Sequence, residues 1–218
     1  MSAGFYGERR FLLSELNYYS AAIGLPTSSG NFGLQLGYFG FSDYNETHAG
    51  LAYGRKLGAK VDIGAQFDYN SLQITGYGKT SAINFQLGTV LHLSEKLHVG
   101  FHAYNPVGGK FGNDKEEKLA SVYTIGSGYE ASDKFFISAE IQKEENRPVN
   151  VNAGLEYKFL PQLSIRGGVS TATSVVFGGI GLQFRSFRLD ITISHHPQLG
   201  LSPGLLLVFN GKSKTEQN

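Results

Sequence analysis

Eleven ionisable side chains could carry chemistry if the chain brings them to one face: Asp62, Asp68, His98, His102, Glu140, Glu156, Lys158, Arg166, Arg185, Arg188 and Asp190. Metal binding is the first chemistry to weigh. His98 and His102 share a strand face but stand four residues apart, about 13 Å, too far for two ligands of one ion. His195 and His196 are adjacent, and adjacent strand residues point to opposite faces. The chain has no Cys, which removes thiolate catalysis, disulfides and Cys-type zinc sites. No metal and no cofactor is expected. Nucleophilic catalysis fares no better, because no G-x-S-x-G occurs and no local cluster nominates a Ser. The stretch Pro106-Val107-Gly108-Gly109-Lys110-Phe111-Gly112 is Gly-rich but lacks G-x-x-x-x-G-K-[ST] and a following helix. It reads as a loop tip. No catalytic residue is assigned, and no enzyme is expected.

The elements that position these side chains follow from period-two alternation. In 149–159, Val149, Val151, Ala153, Leu155, Tyr157 and Phe159 oppose Asn150, Asn152, Gly154, Glu156 and Lys158. In 187–194, Phe187, Leu189, Ile191 and Ile193 oppose Arg188, Asp190, Thr192 and Ser194. Segments 61–70, 83–92, 97–104 and 162–170 repeat the pattern. Further strands are expected near 15–25, 31–41, 46–57, 118–129, 134–143, 175–185 and 204–210. With the short piece Ser2–Gly7 the count reaches fourteen, even as bacterial single-chain barrels require; twelve is the alternative.

Three features separate a membrane barrel from a soluble sandwich. Charged residues are 17% of the chain, against about 25% in soluble domains, too few to dress an aqueous surface. The polar face is Gly, Asn, Gln, Ser and His in place of Lys and Glu. The strands run about 9–13 residues, the length a tilted membrane strand needs. The chain is therefore expected to be an all-β, antiparallel transmembrane barrel over 1–211, with a polar, frayed tail at 212–218. Leu155, Leu163, Ile180, Leu189 and Ile191 are expected to face lipid, and the eleven polar residues above to face the lumen. Their signs are mixed, so no selective ring is evident, and bracing across strands is the expected role. Net charge is +1, which gives no case for nucleic acid.

Connections alternate in length. Tight links fall at 57–59, 94–96, 130–133, 160–161 and 185–186, and longer ones at 71–79, 106–117, 144–148, 171–174 and 195–203. Short turns belong to the periplasmic side, which places both termini there. Tyr129, Phe135, Tyr157, Phe159, Phe184 and Phe187 gather beside the tight turns as an interfacial girdle. The start, Met1-Ser2-Ala3-Gly4-Phe5, has no basic segment followed by an apolar one, so a leader is expected to have been replaced by Met. The location implied is the bacterial outer membrane.

The tract His102-Ala103-Tyr104-Asn105-Pro106-Val107-Gly108-Gly109 and the ending His195-His196-Pro197-Gln198-Leu199-Gly200-Leu201-Ser202-Pro203 resemble the PorV/PorQ-type proteins of Bacteroidetes. The opening Ala3-Gly4-Phe5-Tyr6-Gly7, followed after a loop by Tyr18-Tyr19-Ser20-Ala21-Ala22, is similar to that family's first hairpin. The resemblance implies a fourteen-stranded barrel related to fatty-acid-transporter barrels, with members attached to type IX secretion. It implies a secretion accessory or a scaffold, with the bilayer and protein partners of a secretion machinery as its contacts. The alternative is a channel or transporter for small, including hydrophobic, molecules, and the second alternative is a barrel enzyme. The mixed lumen charges favour the scaffold, with little steady ion conductance and no strong ion selectivity.

Overall fold

The computed structural model describes residues 1–110 and 118–211. The described residues form fourteen strands: β1 (Ser2–Arg9), β2 (Asn17–Thr27), β3 (Gly30–Gly40), β4 (Tyr44–Leu57), β5 (Val61–Ile74), β6 (Gly78–His92), β7 (Leu97–Tyr104), β8 (Val122–Ser132), β9 (Phe135–Glu144), β10 (Asn150–Leu160), β11 (Leu163–Ser170), β12 (Val175–Phe184), β13 (Phe187–His196) and β14 (Gly200–Asn210). Each pairs antiparallel with the next, and β1 closes the barrel on β14 from Ser2↔Asn210 to Glu8↔Gly204. Closure leaves no free sheet edge, so every strand finds backbone partners on both sides. The expected all-β barrel of fourteen strands is the observed fold.

Its packing is inside out. Among the described residues the one buried hydrophobic side chain is Ala82, while Asp68, Asn84 and Asp190 are at most 2% exposed. The large apolar residues lie exposed on alternate positions, as Leu34 and Leu36 do on β3 and Ile191 and Ile193 on β13. A wall one sheet thick has no second layer to bury such residues, so the apolar face serves as the surface a bilayer covers. Leu155, Ile180 and Ile191 project from it half exposed. Leu163 and Leu189 lie on the same face, each paired with Leu182 and partly covered.

The two ends differ. At one end lie both termini and the turns 28–29, 58–60, 93–96, 133–134, 161–162 and 185–186. At the other lie 10–16, 41–43, 75–77, 105–110, 118–121, 145–149, 171–174 and 197–199. The expected loop 71–79 is a correction: β5 and β6 stay paired up to Ile74↔Gly78. Positive φ at Gly76 (+83°) and Gly78 (+103°) lets three residues reverse the chain. The loop 195–203 shortens in the same way to 197–199, with Gly200 at φ +91°. Strand β8 begins at Val122, four residues after the expected start, because Asn105 (φ +51°) and Gly108 (φ +68°) hold the preceding segment in a folded turn. Most of the loop expected at 106–117, and the tail 212–218, lie outside the described residues.

Candidate functional site: the lumen

Inward-facing side chains form distinct polar groups. The largest centres on Asp68 of β5, which is 0% exposed. Gln66 Nε2 donates to its Oδ1 (2.7 Å), and Asn84 Nδ2 (3.1 Å) and Gln86 Nε2 (2.7 Å) donate to its Oδ2. A carboxylate accepts and cannot donate, so each amide must turn its NH2 toward it. That fixes the rest of the chain of bonds. Asn84 Oδ1 then receives Asn70 Nδ2 (2.6 Å), and Asn70 Oδ1 faces His48 Nδ1 (3.0 Å). Gln86 Oε1 likewise faces His102 Nε2 (2.9 Å). His48 Nε2 returns to Asp68 Oδ1 at 3.4 Å. One buried charge thus orients side chains on β4, β5, β6 and β7.

The second group is ionic. Arg166 of β11 bonds Glu156 of β10 through Nε, and its Nη1 reaches Asp190 Oδ1 of β13 at 2.6 Å. Arg188 Nε holds the other oxygen of Asp190 at 2.8 Å. Strands β11 and β13 are not neighbours, because β12 lies between them. The bridge passes over Gly181, where an added Cβ would stand 2.5 Å from both Asp190 Oδ1 and Ser164 Oγ. Gly50 serves the Asp68 group in the same way, with a Cβ there 2.5 Å from Gln66 Nε2 and 2.8 Å from Asp68 Oδ1. Gly204 of β14 lies beneath the bond between Tyr6 of β1 and Thr192 of β13, its added Cβ 2.7 Å from Thr192 Oγ1. These glycines are saddles that let side chains span an intervening strand.

Further groups complete the inner wall. Asp62 Oδ2 meets His92 Nε2 (2.9 Å), and His92 Nδ1 meets His98 Nδ1 (2.8 Å). His98 and His102, on one strand face, therefore belong to separate groups. Glu140 Oε1 accepts from Asn152 Nδ2 (2.7 Å). Lys158 shares the face of Glu156 but sits exposed at the rim, with no side-chain partner among the described residues. Arg185 is a correction to the lumen set: it occupies the two-residue turn between β12 and β13 at φ +48° and is exposed. A two-residue hairpin puts its first residue at the rim, off either wall. The amide and imidazole partners of Asp68 escaped the sequence reading, because Gln66, Asn70, Asn84 and Gln86 are ordinary polar-face residues until the pairing of β4, β5 and β6 sets them side by side.

The space these groups leave is uneven. A cavity of about 820 Å³ is bounded by residues of β6 to β14 and β1. It extends from Arg188 and Asp190, near the terminal end, to Glu8, Asn152, Ser194 and Ser202, near the other. A second cavity, about 660 Å³, lies mainly against glycines and amides of β3 to β8 and borders Asp62, Gln66, His102 and Glu140. Val90 points inward, borders both and is still 38% exposed. The ladders behind the second cavity are continuously paired from Val61↔Leu91 to Ile74↔Gly78, so the wall there is unbroken.

A family model described as the type IX secretion system membrane protein PorP/SprF matches residues 15–201. The chain belongs to that family, and its place is the bacterial outer membrane. The match bears out a type IX secretion-associated barrel family and does not single out the PorV/PorQ type. It is a family of a secretion system and not of enzymes. No curated protein matches the sequence. Among solved structures, the toluene transporter TodX of P. putida superposes with a TM-score of 0.70 at 11% identity, over 97% of this chain and 90% of that one. The Ralstonia pickettii toluene transporter TbuX gives 0.63 at 11% identity, over 95% and 87%. The KdgM porin gives 0.54 at 11% identity, over 97% and 100%. At such identity the likeness is one of fold.

Proposed function

We propose that this barrel is a narrow pathway for small amphipathic solutes across the outer membrane, working in the setting of type IX secretion. The observation that carries the reading is the 820 Å³ cavity along β6 to β14 and β1, which spans most of the wall. Strands of 8 to 11 residues, rising about 3.3 Å per residue and tilted about 40°, make a wall about 25 Å high. The cavity then averages roughly 30 Å² in cross-section, room for one small molecule at a time. Its border mixes matched charges with Phe136, Val90 and Leu206, a lining suited to molecules with a polar and an apolar part. Toluene and oligogalacturonate stand in the names of fold relatives, and transport of small molecules is a use that this kind of barrel supports. A scaffold for protein partners is the second reading, favoured by the family description.

The test is erythritol-driven swelling of liposomes carrying the purified barrel. Wild type should swell faster than protein-free liposomes. Gly154→Trp should abolish the excess, because an added Cβ there points toward Ser138 Oγ at 3.3 Å and the ring would enter the cavity. Swelling no faster than the protein-free control would reject the pathway and promote the scaffold.

A further inference from the structure

Every carboxylate that borders the two cavities has a cationic or imidazole partner except one. Asp62 has His92, Asp68 has His48 and three amides, Glu156 has Arg166, and Asp190 has both Arg166 and Arg188. Glu140 has a single amide, from Asn152, on Oε1. Its second oxygen has no partner among the described residues. An unmatched carboxylate at membrane depth is costly unless water or a bound cation meets it. Glu140 also borders both cavities, the 820 Å³ and the 660 Å³ one, and two glycines keep the space around it open. Gly126 sits directly across the ladder, and Gly154 lies one strand over beside Asn152.

We propose that Glu140 is the recognition carboxylate of a site for small primary amines with an apolar body, set where the two lumen cavities meet. The inference rests on the reading of the lumen as a solute space and names the solute class. An ammonium group carries three donors and no acceptor. The free oxygen of Glu140 and the hydroxyl of Ser138, two residues along the same face, can take two of them. A hard divalent cation wants six or more oxygen ligands, and no group of three or more acidic or imidazole ligands exists among the described residues. The apolar end has its own contact. Phe136 lies four residues along the same strand face, about 13 Å away, its ring held over the bare backbone of Gly128. Other charges at the cavity border do not compete: Arg166 and Arg188 are engaged by Glu156 and Asp190, and Glu8 is engaged by Arg10 at 3.2 Å. His98 is tied to His92, and His102 to Gln86.

The chain has no Trp, so Phe136→Trp supplies a single fluorescent reporter inside the proposed site. Titrating that variant in detergent with n-hexylammonium and with n-hexanol should show at least tenfold tighter binding of the amine. Adding Glu140→Gln should bring the amine down to the level of the alcohol. Ser138→Lys, which sets a resident ammonium beside Glu140, should have the same effect while the barrel keeps its heat-modifiable migration on gels. Equal affinity for amine and alcohol, or an amine affinity untouched by Glu140→Gln, overturns the proposal. Binding needs no passage, so amine recognition without erythritol flux would reject the pathway alone. Flux without amine preference would reject this site alone.

Discussion

The two sides of the lumen solve the same problem differently. On β3 to β7 one buried carboxylate, Asp68, gathers neutral amides and two imidazoles into a packed belt. On β10 to β13 two carboxylates and two guanidiniums cancel in a compact cluster, and space opens beside it. Amides are short, so a belt of them needs many members, and the 660 Å³ cavity borders it at Gln66, Gln86 and His102. An Arg spans two strands, provided a glycine lies between, and braces the wall with few atoms. The comparison teaches that a barrel can be stiffened by amides or by ion pairs and keep open space beside either.

Removing Asp68 is the strongest way to break the comparison. Asp68→Ala leaves three amide donors and His48 facing nothing and should cost about 3–5 kcal/mol, as loss of one partner from a buried charged group does. Heat-modifiability on gels across a urea series would measure it. Asp68→Asn should also destabilise, because its NH2 takes the place of one carboxylate oxygen and opposes the donors on that side, either Gln66 or the pair Asn84 and Gln86, so that the bonds beyond them toward His48 or His102 would have to reverse. An Asp68→Asn barrel as stable as wild type would show that the belt has no fixed direction.

The saddles come next. Gly50→Ala and Gly181→Ala each press a methyl group within 3 Å of a bridging polar atom and should cost roughly 1–3 kcal/mol by overpacking. Gly64→Ala is the matched control, since its nearest neighbour is a backbone oxygen at 3.5 Å, and the same urea series should place it near wild type. If all three glycines respond alike, the bridges over β4 and β12 lose their special role. The smallest effect belongs to Lys158. Exposed at the rim, it should lose less than about 0.5 kcal/mol on replacement by Ala, whereas Arg166→Ala should destabilise clearly by stranding Glu156 and Asp190.

Much of this was written into the chain order. Alternation such as Val61, Ile63, Ala65, Phe67 and Tyr69 against Asp62, Gly64, Gln66, Asp68 and Asn70 settles strand, face and register together, because a slip of one residue would turn Asp68 toward the bilayer. The low charge content and the even strand count pointed to a closed membrane barrel for equally local reasons. Arg185 escaped that logic: period two along β12 puts it opposite Phe184, on the polar face, but the strand ends at Phe184 and Arg185 opens a two-residue turn. Partnership was beyond the sequence altogether. Asp190 and Arg166 are 24 positions apart, and Gln35 and Gln66 are 31 apart. Only the assembled sheet decides which polar residues share a height and which glycine stands between them. Glu140 and Glu156 look alike on the polar face; the tertiary structure gives an Arg to one and an open cavity to the other, because the position of a charge across the lumen depends on strand stagger and barrel shape, which alternation does not encode.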